Sequence, residues 1–240
     1  MPALKNCPEF ARRRARIFVE NHCINHRKCK DSSVHNMCFF LYSRSANSSE
    51  MLDYLKKEEN KIIAGQNVYL DLTYALNEAK KQQIECERNP HKGENAGLDS
   101  KSLAERVKNL KKAQITLYGI MKVYGKAVEL ALEVSDIGLA RDYANKPMNR
   151  RIQQELWMKI ATHLFKGETQ EDKGGVMGVQ DALTFIRENS RLRVEDLLET
   201  FPKTAKVEEM KEHLCRCLED YERKLINLRA KIEKNSYSAD

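Results

Sequence analysis

Glycine and proline are scarce in this chain, 10 and 5 among 240 residues, and tryptophan occurs once. Tight-turned sheets draw on both residues, so the shortage favours helix. Strict alternation of apolar and polar positions is also hard to find, which argues against half-buried strands. The longest uninterrupted apolar run is Met37 to Tyr42, far short of the roughly 20 residues needed to span a bilayer as a helix. MPALKNCPEFARRRAR at the N-terminus lacks an apolar h-region and a small-residue cleavage site, so a cytoplasmic setting is expected. Seven cysteines, an odd number at irregular spacing, then read as thiols rather than bridges.

Catalytic motifs are lacking as well. There is no H-E-x-x-H, no G-x-S-x-G and no G-x-G-x-x-G following a strand. The glycines of GETQEDKGGVMG do not form a phosphate loop, because no Lys-Ser or Lys-Thr follows Gly178. Carboxylates lie in helical charge runs such as Lys57-Glu58-Glu59, which read as solvated faces. A non-enzymatic protein with no cofactor is the expectation.

What the chain does have is charge, 32% of residues, on a 41% apolar background large enough to bury a core without metal or disulfide. Residues 1–30 hold eight Lys or Arg against Glu9 and Glu20, nearly all of the net +7. The block Arg12, Arg13, Arg14 and Arg16 reads as a solvated helix face, with polyanion binding as the alternative.

Helical periodicity recurs in nearly every segment. In RRIQQELWMKIATHLFK, Ile152, Leu156, Trp157, Ile160, Ala161 and Leu164 form one broad apolar stripe, with Trp157 as a core anchor. VHNMCFFLYSRS and SSEMLDYLKKEE read as helix, polar turn at Ala46 to Ser49, helix. Further on, Leu117, Ile120, Val123 and Tyr124 fall on one helix and Val128, Leu130, Ala131 and Leu132 on the next. Asp136 then caps a third, containing Leu139, Ala140 and Tyr143. Residues 87–100 and 167–178 read as loops, and Ser102 with Glu105 marks the helix start after the first. Short helical hairpins cannot bury their apolar faces alone; stacked, they make an all-α solenoid.

The last helix differs. From Val207, apolar residues recur at Met210, Leu214, Cys217, Tyr221, Leu225, Leu228 and Ile232 in steps of three and four, with glycine and proline absent. This is a heptad seam with one extra-residue step, suited to a coiled coil. Leu214, Tyr221, Leu225, Leu228 and Ile232 are the candidate partner-binding residues.

One cluster looks chemical: Cys23, His26, Cys29, His35 and Cys38. Five such side chains would suffice for a zinc tetrahedron, yet no glycine or proline knuckle lies among them, and His35 and Cys38 fall in a helical run. Two ordinary helices are the expectation, and a small zinc- or polyanion-binding module on residues 12–38 is the alternative.

The stretches YGKAVELALEVSDIGLARDYANK, ELWMKIATHLFK and the segment from VQDALTFIRENSRLRVEDLLETFP through the last helix are similar to the clathrin-heavy-chain-repeat region of the deep orange family. That family comprises the vacuolar protein sorting-associated protein 18 subunits of the HOPS and CORVET tethering complexes. The resemblance covers about residues 114–234, with weaker likeness upstream. It implies an α-solenoid scaffold for vesicle docking and fusion, with other class C vacuolar sorting subunits as partners and no nucleic acid. It also implies peripheral residence on late endosome, lysosome or vacuole membranes. The family's β-propeller and RING zinc domain have no counterpart in these 240 residues, so the chain reads as a fragment or truncated form. The expected organisation is a basic segment at 1–34, a solenoid at 35–204, a long helix at 205–234 and a tail at 235–240.

Overall fold

In the computed structural model, which describes residues 9–45, 48–89, 99–166 and 207–236, helix is the only regular structure among the described residues. In chain order these are α1 (Glu9–Phe18), a π-helical segment (Val19–His26), α2 (Ser32–Ser43), α3 (Ser49–Ile63), α4 (Leu72–Arg88) and α5 (Ser100–Ile120). Then come α6 (Tyr124–Glu133), α7 (Ile137–Asn145), α8 (Arg150–Lys166) and α9 (Val207–Ser236). The chain divides into two compact units, Met1–Met148 and Asn149–Asp240. Within the loops expected at 87–100 and 167–178, residues 90–98 and the whole second stretch lie outside the described residues, as do 179–206, the 46–47 part of the first turn and the tail from 237.

Aspartates start four of the helices. The side chains of Asp31, Asp71, Asp99 and Asp136 accept from Ser33 N, Thr73 N, Ser102 N and Leu139 N at 2.8, 2.9, 3.2 and 3.1 Å, satisfying amides that the first helical turn leaves without partners. The expected cap at Asp136 is thus present. For α5 the start lies earlier than Ser102: Asp99 supplies the cap oxygen, and Ser102 supplies the amide it receives.

Three helices stop the same way. After α3, α5 and α6 the chain enters the left-handed region at Gly65 (φ 72°), Lys122 (φ 61°) and Ser135 (φ 58°). Each turn carries the paired reverse hydrogen bonds of a Schellman motif, such as Lys122 N to Gly119 O at 3.0 Å and Val123 N to Tyr118 O at 2.9 Å. Tyr124 therefore opens α6 rather than closing α5, and Val123 is the N-cap of α6, after Met121 and Lys122 in the connection, a correction to the sequence reading. Because only Gly65 adopts this conformation without a Cβ penalty, Lys122→Gly is expected to stabilise the fold by about 0.5–1 kcal/mol, read from the urea midpoint.

In the first unit α2 packs on both α3 and α4, α3 on α5, α4 on α5, α5 on α6, and α6 on α7. A helix that meets its neighbour and also the helix after next belongs to stacked hairpins, and the chain is an α-solenoid on that ground. The core of the first hairpins joins Phe39 and Tyr42 of α2, Met51, Tyr54 and Leu55 of α3, Ala75 and Ala79 of α4, and Leu110, Ala113 and Leu117 of α5. In α8 the expected stripe holds at Leu156, Trp157, Ile160 and Ala161, all buried, whereas Ile152 is 43% exposed.

Several charges expected in solvent are buried instead. Arg16 pairs with Glu50, donates to Ser45 Oγ at 3.2 Å and lies 4.7 Å over the Tyr42 ring. In the Lys57-Glu58-Glu59 run, Glu58 is 1% exposed and bonded to Lys61 at 2.6 Å, Glu59 pairs with Lys146, and Lys57 reaches Glu20 at 3.0 Å. Arg44 and Glu78 form a further buried pair at 3.3 Å, with Gln82 Nε2 on the same carboxylate oxygen at 3.1 Å. The contacts of Arg16 and of Glu20 tie α1 and the π-helical segment to α2 and α3, while Arg44–Glu78 joins the end of α2 to α4 and Glu59–Lys146 joins α3 to the end of α7.

Glu20 is the centre of that tie. Burial raises its carboxyl, but the Tyr42 hydroxyl and the Lys57 ammonium outweigh burial and hold it below the ordinary value of 4.5. A depressed folded-state pKa contributes stability that is complete above 4.5 and lost as pH falls through the folded value. Glu20→Gln is therefore expected to lower stability by about 1 kcal/mol at pH 7, with the gap to wild type closing in acid. Urea midpoints at stepped pH check this, and a gap that widens below pH ~4.5 would contradict it.

Candidate interaction surfaces

α9 is 30 residues long, a span of about 45 Å at 1.5 Å per residue. At roughly 100° per residue, Leu214, Leu218, Tyr221, Leu225, Leu228 and Ile232 fall within about 80° of one another on the helix surface. Their exposure is the informative quantity: Leu218 67%, Leu225 56%, Leu228 54% and Ile232 67%, with Tyr221 half-buried. The side chain of Leu214 lies outside the described residues. Large aliphatic side chains this open, in register along several turns, form a contiguous apolar strip rather than scattered surface residues.

Leu218 belongs to this strip, although the sequence seam ran through Cys217 instead. It stands four residues after Leu214 and seven before Leu225, a spacing that would have identified it. Off the strip the helix carries charge, with Glu219 and Arg223 paired at 4.0 Å and Lys224 Nζ 5.7 Å from the Tyr221 ring centroid, together with one further open aliphatic side chain, Ile226 at 59%.

The five Cys and His candidates are dispersed over three local environments. Cys23 and His26 lie on the π-helical segment, Cys29 in the connector, and His35 and Cys38 on α2. His35 donates its Nε2–H to the carbonyl oxygen of Cys29 at 2.9 Å and lies against Tyr69, with ring centroids 5.7 Å apart. That bond anchors the connector to the helix, a structural use of the imidazole. Cys38 is fully buried in the hydrophobic core, and burial pushes its thiol up to about 12, so it stays protonated and a poor metal ligand at neutral pH. No group of three or more His, Cys, Asp or Glu side chains among the described residues is placed to hold a metal ion. No described helix is long and apolar enough to cross a membrane.

Residues 103–165, which run from α5 to α8, match the family model described as VPS18, alpha-solenoid domain, second half. Over 218 residues the chain is 26% identical to a vacuolar protein sorting-associated protein 18 homolog of Danio rerio, covering 90% of this chain and 18% of that protein. A Drosophila melanogaster protein of the same name is 31% identical over 132 residues, 55% of this chain and 12% of its own length. Vacuolar sorting protein 18 of Arabidopsis thaliana is 25% identical over 225 residues, 91% of this chain and 19% of its own. The chain thus spans less than a fifth of the curated relatives it matches. No solved structure matches it. Stacked hairpins, a solenoid family model lying on α5 to α8, and similarity to proteins of one name in fish, insect and plant agree in likening this chain to the VPS18 family of vacuolar sorting proteins.

Proposed function

We propose that this chain is a non-enzymatic scaffold segment of a HOPS- or CORVET-like vesicle-tethering complex, acting in transport between endosome and lysosome or vacuole. In this reading the solenoid is an arm of fixed shape, and α9 is the element that a partner subunit covers. The observation that carries it is the exposed strip Leu218, Tyr221, Leu225, Leu228 and Ile232, because an aliphatic strip left in water gains most from a second helix laid along it. The likeness to the VPS18 family supports the vacuolar sorting setting, and the partners proposed are other class C vacuolar sorting subunits. Membrane association would be peripheral, through the complex, on late endosome, lysosome or vacuole.

The test is co-purification of those subunits with the wild-type chain and with a variant carrying aspartate at Leu225 and Leu228. Loss of the partners with helicity retained supports the scaffold reading. Undiminished co-purification would place partner binding elsewhere. The zinc-module alternative on residues 12–38 finds no support in the placement of its candidates, three of which serve or sit within the α2 packing.

A further inference from the structure

With Leu218 on it, the α9 strip is a strict heptad: Leu218, Leu225 and Ile232 take the a positions, and Tyr221 and Leu228 the d positions between them. The e and g positions then flank the strip. Lys224 and Lys231 stand at g, Glu222 and Arg229 at e, and all four side chains are exposed. Three of these four charges are cations. Among the described residues Arg229 and Lys231 have no ion-pair partner, and Lys224 faces the Tyr221 ring at 5.7 Å. The acids Glu219 and Glu233 occupy b positions, which point away from a partner helix.

Flanking charges decide which helix can be laid along such a strip, because e and g side chains of the two strands meet across the seam. A parallel second copy would set Lys224 of each helix against Arg229 of the other, two like-charge contacts with no opposite pair in return. An antiparallel second copy laid end to end would bring Tyr221 opposite Leu225 and Leu218 opposite Leu228. Glu222 would then meet its own copy, and so would Lys224. Sliding that pair by one heptad gains Glu222–Arg229 contacts, but it sets Lys224 against Lys231 and brings Leu218 opposite Asn235. Every one of these self-pairings opposes like charges at the flanks, which costs affinity where opposite charges would add to it.

We infer, building on the reading of α9 as the element a partner covers, that the strip receives an amphipathic helix of another protein, with acidic side chains at its own flanking positions set against Lys224, Arg229 and Lys231. A second copy of this chain is not the occupant. The apolar strip supplies the attraction, and the basic flanks select the partner.

Two synthetic four-heptad peptides are the probes, identical in their leucine and isoleucine a and d residues, one with glutamate and the other with lysine at every e and g position. Titrated into the full chain and read by fluorescence anisotropy, the glutamate peptide is expected to bind at least about tenfold more tightly, about 1.4 kcal/mol spread over three flanking contacts. Lys224→Glu with Arg229→Glu and Lys231→Glu is expected to invert that preference, with circular dichroism confirming that the helix is retained. Sedimentation of the wild-type chain alone should give a monomer. A dimer that Leu225→Asp with Leu228→Asp dissolves would make a second copy the occupant and overturn the inference. Binding of neither peptide, equal binding of both, or a preference that the reversed variant keeps would overturn it as well. Co-purification of the class C subunits separates this inference from the scaffold reading. Loss with the leucine pair but not with the charge reversal leaves the scaffold standing and overturns the acidic partner, whereas insensitivity to the leucine pair overturns both.

Discussion

Leu225→Asp combined with Leu228→Asp is expected to weaken assembly with partner subunits by a hundred- to a thousandfold while leaving the isolated chain folded. Each leucine side chain contributes about 1.5–3 kcal/mol when it passes from water into an apolar interface, and an aspartate buried in its place adds a desolvation cost. Since both are already nearly half covered in the free chain, losing them removes up to about 3 kcal/mol and the buried aspartates add about 1 more, and about 3–4 kcal/mol is a hundred- to a thousandfold in affinity. Both side chains are more than half exposed in the chain by itself, so the same changes should alter its own stability by no more than about 1 kcal/mol, mostly through the weaker helix propensity of aspartate. Arg223→Gln on the opposite face is the control, since an exposed i,i+4 pair such as Glu219–Arg223 contributes little. The measurement is affinity by pull-down or calorimetry against co-expressed partner subunits, read beside circular dichroism. Equal loss of affinity in the control would trace the effect to charge rather than to the apolar strip.

The second large effect concerns the interior. A Cβ placed on Gly119 of α5 would lie 2.1 Å from Cε1 of Tyr143 on α7, closer than real side-chain atoms approach. Tyr143 is 3% exposed, so its ring has little room to swing aside. Alanine is otherwise the better helix former by about 1 kcal/mol, which makes the sign informative. Overpacking costs typically 1–3 kcal/mol, and a contact this short belongs at the upper end. Gly119→Ala is expected to destabilise the chain by about 2 kcal/mol net, a fall of about 4–8 °C in thermal midpoint for a unit of this size. In a Tyr143→Leu background, where the shorter side chain vacates the space, the same substitution should become neutral or stabilising. A double-mutant cycle that shows the two changes to be additive would refute the close approach.

Gly119 also shows where reading a sequence stops. Nothing in LYGI marks that glycine as a packing position, because its neighbour Tyr143 stands 24 residues away and is brought to it only when α7 folds back on α5. The helices themselves were legible. Apolar spacing in ELWMKIA identifies Leu156, Trp157 and Ile160, and the structure buries all three. Asp136 was legible as a cap because aspartate before an apolar-periodic run has a local meaning. The ends of α5 and α6 were not, since lysine and serine occupy left-handed positions where glycine would have been the signal.

Charge was the least legible property. A run such as Lys57-Glu58-Glu59 has the composition of a solvated face, and one-dimensional spacing cannot show that Lys61, Lys146 and Glu20 come from other turns and other helices to meet it. The same holds for Arg16, whose partners Glu50, Ser45 and Tyr42 lie on or beside α2 and α3. His35 and Cys38 are the converse: residues with metal-binding chemistry, used for a connector bond and for core volume.

By itself, then, the sequence determined what depends on near neighbours: an all-α chain, its helical stripes, the seam of α9 and the likeness to a vacuolar sorting family. Those properties follow from 3.6-residue periodicity and helix-start chemistry, which act over a few residues. Only the tertiary structure decided which charges are buried and where Gly119 is required. These are encounters between residues far apart in the chain, set by how stacked hairpins bring helix surfaces together.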